Sequence, residues 1–202
     1  PYSHHRRFSV SLGYNLLSSS TSLKYLIYFF IIRVLSQIRQ GVKPLFTGKV
    51  SMDQSIVSQR EIHVDTESYV TALRASLRQS PDVILLGEMR DYETMQVAMT
   101  AAETGHLIFS TLHTIGAAST IVCIIDVFPP NQQHQIAVQL SMVLQAVISQ
   151  QLVPSIDEKM IPVFEIMTVT PAIRNMIRDN KIPQLEGIIS SSASEEIISM
   201  DS

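Results

Sequence analysis

The chain has 202 residues, of which 46% are apolar, and a formal net charge of −3. This composition excludes general disorder, collagen, coiled-coil and low-complexity proteins, and the length predicts one domain or slightly more. A single cysteine, Cys123, excludes an internal disulfide framework and a cysteine-based zinc site.

Charge is distributed unevenly along the chain. Residues 1–50 contain seven Lys and Arg, no Asp or Glu, and eight of the thirteen aromatic residues, whereas the remainder has eight basic and eighteen acidic residues. Because the chain starts at Pro1 and its first methionine is Met52, we expect a fragment, a processed form or a conceptual translation. Three interpretations of residues 1–50 stay open: out-of-frame sequence, a native but atypical segment, and a targeting peptide.

The apolar run Leu23–Leu35 is thirteen residues long and contains Lys24 and Arg33. A membrane-spanning helix needs about 20 apolar residues, so this run does not predict one. A basic amphipathic helix remains a further hypothesis, in which residues 1–50 anchor a regulatory domain to a membrane surface.

From Met52 onward, periodic helical patterns alternate with short apolar runs. The predicted elements are a helix over 67–79 capped by Thr66, a strand over 83–86, a helix over 92–103 capped by Asp91, a strand over 107–112, helices over 116–127 and 131–151, a hairpin over 152–169 turning near 155–159, and a helix over 172–178 that starts at Thr170-Pro171. The tail from Ser190 is rich in serine and predicts no element. This order predicts an α/β core over 51–153 with a mainly parallel sheet, followed by a hairpin and helical C-terminal region over 154–202.

Glu88 follows the apolar run Val83–Leu86 after one glycine. Catalytic groups of parallel sheets lie at the carboxyl ends of strands, where Glu88 and His113 both fall. P-loop ATPases use such a strand to present the carboxylate that orients magnesium or the attacking water. Because many parallel strands end in an acidic residue, a helix-capping role for Glu88 also stays open.

His106 and His113 bracket the second predicted strand. Their spacing would place them about 20 Å apart in a straight strand, so they do not predict a shared metal ion. The guanidinium groups of Arg60, Arg74 and Arg78 suit phosphate contacts, although solvated helix faces or local salt bridges explain them equally well. No metal site and no nucleic-acid-binding motif is predicted.

Several stretches, in this order, resemble the secretion-ATPase superfamily. They are Gln59-Arg60-Glu61, Ala72–Arg78 (ALRASLR), Pro81–Asp91 (PDVILLGEMRD), Thr100–His106 (TAAETGH) and Ser110–Thr114 (STLHT). Ala172–Arg178 (AIRNMIR) narrows the resemblance to the type IV pilus retraction ATPases, and the match runs from about Ser55 to Ile189.

This resemblance implies an incomplete RecA-like P-loop ATPase core, with ATP and Mg²⁺ as cofactors. It implies an ATP-hydrolysing motor subunit of a cytoplasmic hexameric ring, peripheral at the inner-membrane base of the pilus, with an inner-membrane platform protein as partner. The resemblance assigns water activation to Glu88. It assigns contacts with the nucleotide site to His106 and His113, and phosphate contacts to the region of Arg60, Arg74 and Arg78.

One part of the family pattern is missing. The phosphate loop, Gly-x-x-x-x-Gly-Lys-Ser/Thr, has no counterpart in residues 1–58, where Gly41 and Gly48-Lys49 lack the spacing and the following hydroxyl. Because that loop cradles the phosphates, the chain alone is expected not to bind ATP. The sheet would also lack the strand that leads into the loop, unless residues 1–50 supply a substitute. A non-catalytic module that inserts into rings of full-length secretion ATPase is the alternative hypothesis.

Overall fold

A computed structural model describes residues 6–12, 55–156, 160–191 and 197–200. Contacts divide the chain into unit 1, Pro1–Glu88 with His106–Thr111, and unit 2, Met89–Gly105 with Leu112–Ser202. Both sides of the predicted boundary between residues 153 and 154 therefore belong to unit 2. No helix in the described ranges is long and apolar enough to cross a membrane, and the run Leu23–Leu35 lies outside those ranges.

Within the described ranges, unit 1 has a four-stranded sheet and one helix. Its elements are β1 (Arg6–Leu12), β2 (Ser55–Glu61), α1 (Tyr69–Leu77), β3 (Val83–Leu86) and β4 (Leu107–Phe109). The strand order is β2-β1-β3-β4, and every described neighbour pair is parallel. The predicted mainly parallel sheet is confirmed.

Strand β1 comes from the basic N-terminal segment and occupies an interior position of this sheet. Val10 lies opposite Gln59 of β2 on one side and opposite Leu85 of β3 on the other. Because a parallel strand in the interior forms hydrogen bonds along both edges, β1 joins β2 to β3. Residues 1–50 therefore do supply a strand to the core.

Strand β3 is the buried strand that the apolar run predicts. Val83, Ile84 and Leu86 are buried, and β1 and β4 pair with β3 on its two sides. Strand β4 is shorter than predicted and its residues are only partly buried. In the described sheet β4 has a strand neighbour on one side only, which explains its lower burial.

Helix α1 begins later than predicted. Its N-cap is Ser68, whose Oγ accepts a hydrogen bond from the Thr71 amide at 3.1 Å. The predicted cap, Thr66, instead forms a β-bridge with Ile62, so its backbone is held outside the helix. The predicted apolar face is correct at Val70 and Leu73, which are buried.

Unit 2 packs helices against a small antiparallel sheet. Its elements are α2 (Tyr92–Glu103), α3 (Ala117–Asp126), α4 (Pro130–Val143), β5 (Ala146–Pro154), β6 (Met160–Thr168), α5 (Pro171–Arg178), α6 (Pro183–Ser191) and β7 (Ile197–Ile198). The strand order is β5-β6-β7. Fully buried core side chains come from several of these elements and from the connection between α3 and α4, namely Ile121, Phe128, Met167, Ile173, Ile177 and Leu185.

Two predicted helix starts in unit 2 are confirmed by their caps. The Asp91 carboxylate accepts a hydrogen bond from the Thr94 amide at 2.8 Å, and Thr170 caps α5 ahead of Pro171. Helix α6 and strand β7 were not predicted. The predicted hairpin exists, but its first strand starts earlier in the chain than predicted, at Ala146, and part of its predicted turn, residues 157–159, lies outside the described ranges.

The predicted helix over 131–151 is wrong beyond Val143. Leu144 has an extended backbone with ψ of 129°, and Ala146–Pro154 pairs with β6 instead of continuing α4. The guanidinium of Arg174 donates to the carbonyls of Ser141 and Met142 at 2.7 and 2.9 Å. These carbonyls lack helical partners at the end of α4, so a residue of α5 stabilises the helix terminus.

We expect Arg174→Ala to lower the free energy of unfolding by about 1–3 kcal/mol, because it leaves these carbonyls without their charged donor. Urea denaturation followed by circular dichroism measures the change. Arg178→Ala is the matched control on the same helix, where the exposed arginine pairs with the exposed Asp179, and it should change stability by less than about 1 kcal/mol. Equal effects of the two variants would contradict the capping role.

We also expect Val10→Pro to destabilise unit 1, because proline removes a backbone donor from an interior strand. Hydrogen exchange should show faster exchange at Val83–Leu86 and unchanged protection at Ile124 in unit 2. Val10→Ile keeps the amide and is the control. Unchanged protection of β3 in the proline variant would show that β1 does not pair there.

Candidate functional site

Glu88 lies at the carboxyl end of β3, two residues beyond Leu86, and its side chain is partly buried. The strand that presents it has a neighbour on each side, so the backbone leading to Glu88 is held by the sheet. The predicted position of this carboxylate, at the edge where parallel strands place catalytic groups, is what the structure shows.

The hydroxyl group of Thr111, two residues after the end of β4, holds the backbone next to Glu88. Thr111 Oγ1 donates a hydrogen bond to the Gly87 carbonyl at 2.6 Å. Because Thr111 and Gly87 follow adjacent parallel strands, this bond joins the two exits at one edge of the sheet. The backbone that leads to Glu88 is therefore also held by a residue that follows the neighbouring strand β4.

Ser110 precedes Thr111 at the same edge, and its Oγ is buried with no hydrogen-bond partner in the part of the chain that the structure describes. Sequence reasoning included Ser110 and Thr111 in a family motif without giving either residue a role. The signal that could have given them one was their place at the carboxyl end of the strand predicted over 107–112, because the carboxyl ends of parallel strands meet at one side of the sheet.

His106 lies at the opposite end of the strands, where β3 and β4 begin. It directly precedes β4, where the Leu107 amide donates to the Asp82 carbonyl at 3.2 Å. Residues Asp82 and Glu88 stand at the two ends of β3, about 20 Å apart at the rise of a strand. Within unit 1 the structure therefore does not bring His106 and Glu88 together.

His113 belongs to unit 2 and its side chain is exposed. It lies in the segment Leu112–Gly116, which leads into α3. Sequence reasoning did not single out the residues that anchor this segment, Ser149 and Glu165, because they lie on a hairpin more than thirty residues away.

The three candidate arginines have different surroundings. Arg60 on β2 donates from Nη1 to the Ala72 carbonyl of α1 at 3.0 Å, so one of its N–H groups already has a structural partner. Arg74 and Arg78 are exposed, four residues apart at the end of α1. The structure thus gives Arg60 a role in holding α1 to the sheet and leaves Arg74 and Arg78 at the surface.

The oxygen groups that follow β3 and β4, on Glu88, Ser110 and Thr111, fit one half of a nucleotide site. The carboxylate of Glu88 and the hydroxyls of Ser110 and Thr111 are oxygen groups of the kind that Mg²⁺ and an attacking water use. The unpartnered Ser110 Oγ is a hydrogen-bonding position that a bound group would satisfy. The phosphate-gripping half does not fit, because the sequence holds no Gly-x-x-x-x-Gly-Lys-Ser/Thr loop.

Comparison with known proteins gives a consistent family. A model of the family described as "Type II/IV secretion system protein" matches residues 50–184. The Type IV pilus retraction ATPase PilT of Pseudomonas aeruginosa is 49% identical over 146 residues, 72% of this chain and 42% of that protein. A twitching motility protein of Neisseria gonorrhoeae is 47% identical over 149 residues, 73% of this chain and 40% of that protein. The chain spans less than half the length of these curated relatives.

Solved structures agree with this relationship. The pilus retraction motor PilT with bound ADP has a TM-score of 0.68 and 37% identity, covering 96% of this chain and 59% of that chain. The Legionella pneumophila ATPase DotB has a TM-score of 0.75 at 23% identity, covering 97% and 54%, which shows the fold alone. The predicted α/β fold, an incomplete RecA-like ATPase core, is confirmed. The chain belongs to the type II/IV secretion system protein family.

Proposed function

We propose that this chain is part of an ATP-hydrolysing motor subunit of type IV pilus retraction machinery. The observation that carries the proposal is the position of Glu88 after β3. That strand is paired on both sides, and Thr111 holds the Gly87 carbonyl directly before Glu88. The relatives named as pilus retraction ATPases support the choice of substrate and process.

In this proposal Glu88 orients the attacking water. Its carboxylate accepts a hydrogen bond from the water, which turns a lone pair of the water oxygen toward the terminal phosphorus of ATP. Rigid attachment matters because catalysis of phosphoryl transfer depends mainly on positioning and on charge stabilisation. A bound Mg²⁺ would neutralise charge that develops on the phosphate oxygens.

The same proposal predicts that the chain does not hold ATP alone. Without the phosphate loop, several charge-assisted hydrogen bonds worth about 1.5–3 kcal/mol each are missing. ATP binding would then depend on neighbouring subunits. We propose a hexameric ring, peripheral to the cytoplasmic face of the inner membrane at the pilus base, in contact with a platform protein there.

The isolated chain should show no saturable binding of a fluorescent ATP analogue with Mg²⁺, and no phosphate release above background. Fluorescence anisotropy and a coupled phosphate assay measure both. Turnover by the native chain that disappears in Glu88→Gln and persists in the control Glu103→Gln, an exposed carboxylate of α2, would contradict the inactivity of the chain alone.

Added to a full-length pilus retraction ATPase, the chain should enter its rings and change the rate of ATP hydrolysis. Native chain and Glu88→Gln should co-elute equally with the rings in size-exclusion chromatography. Only the native chain should sustain ATP hydrolysis at the sites between its subunits and the full-length subunits. An identical effect of the two variants would contradict the proposed role of Glu88. Absence of co-elution would overturn the subunit assignment.

A further inference from the structure

The segment that carries His113 is anchored by two side chains of the β5–β6 hairpin. Ser149 Oγ accepts a hydrogen bond from the Gly116 amide at 2.8 Å, and Glu165 Oε1 accepts one from the Ala117 amide at 2.6 Å. Ser149 and Glu165 lie directly opposite each other in the pairing of β5 with β6. One cross-strand pair therefore binds both backbone amides at the start of α3.

Local sequence does not supply this anchoring. The first amides of a helix have no intrahelical acceptors, and residues such as Ser or Asp at the N-cap commonly provide one. In α3 the N-cap is Gly116, which has no side chain and adopts a φ of +88°, a conformation that favours glycine. The acceptors must come from elsewhere, and a carboxylate at this position is also favoured by the helix dipole.

A second set of hydrogen bonds fixes the residue after His113. Thr120 Oγ1 donates to the Gly116 carbonyl at 2.8 Å, and Thr114 Oγ1 lies 2.7 Å from Thr120 Oγ1. Because the Thr120 proton is directed to Gly116, Thr114 is the donor between the two hydroxyls. The backbone on the C-terminal side of His113 is thus tied to the first turn of α3.

We propose that Ser149 and Glu165 are positioning residues for His113. They act by holding the start of α3, which follows the segment Leu112–Gly116 that carries His113. The exposed imidazole is then presented in one orientation by a hairpin far away in the sequence. What His113 contacts in that orientation rests on the proposed ATPase function, whereas its anchoring does not.

The test uses NMR on the whole chain, with the His113 imidazole resonance assigned from a His113→Gln spectrum. In Glu165→Ala we expect about five- to tenfold faster exchange of the Ala117 amide, together with a shifted and broadened His113 resonance. Glu165→Gln should restore both, since its side-chain carbonyl can still accept the hydrogen bond. Glu186→Ala, which removes an exposed carboxylate of α6, is the matched control and should change neither.

An unchanged His113 resonance in Glu165→Ala, with faster exchange at Ala117, would overturn the proposal and leave Glu165 as a helix cap only. Ser149→Ala removes a single acceptor and should shift the His113 resonance in the same direction as Glu165→Ala. This variant tests the proposal if Glu165→Ala does not fold. The experiment contains no nucleotide. Its failure would leave the proposed ATPase role untouched, and failure of that role would leave this result standing.

Discussion

The hydrogen bonding of β1 to both β2 and β3 is the interaction on which unit 1 depends. Strand β3 leads to Glu88, and a short strand of four residues is held in place mainly by its neighbours. Removing β1 would leave β3 with an open edge, and open edges of apolar strands favour association with other chains. The basic N-terminal segment, although unusual in composition, therefore contributes directly to the part of the molecule that carries the candidate catalytic carboxylate.

In the proposed function, the candidate site is one half of a nucleotide site. Glu88 and Thr111 lie together at the carboxyl edge of the sheet, and Thr111 fixes the Gly87 carbonyl. The loop that would grip the phosphates has no counterpart in the sequence. Family membership and the position of Glu88 after β3 are thus compatible with the proposal that the chain needs other subunits to bind ATP.

Unit 2 stabilises its helix ends with side chains that are distant in the sequence. Arg174 of α5 binds the last carbonyls of α4, and Ser149 with Glu165 binds the first amides of α3. Helix termini carry unsatisfied backbone groups wherever they lie, so a long-range partner links the end of one element to the position of another. The β5–β6 hairpin therefore holds the start of α3, and α5 holds the end of α4.

The sequence by itself determined the family, the strand Val83–Leu86 with Glu88 after it, and the helix starts at Asp91 and Thr170, because local patterns and caps act over a few residues. Tertiary structure decided the rest. It ended α4 at Val143, since pairing with β6 and the contact from Arg174 outweighed a helical period that continued in the sequence. It also placed β1 between β2 and β3, because strand order depends on pairings between residues that no local pattern connects.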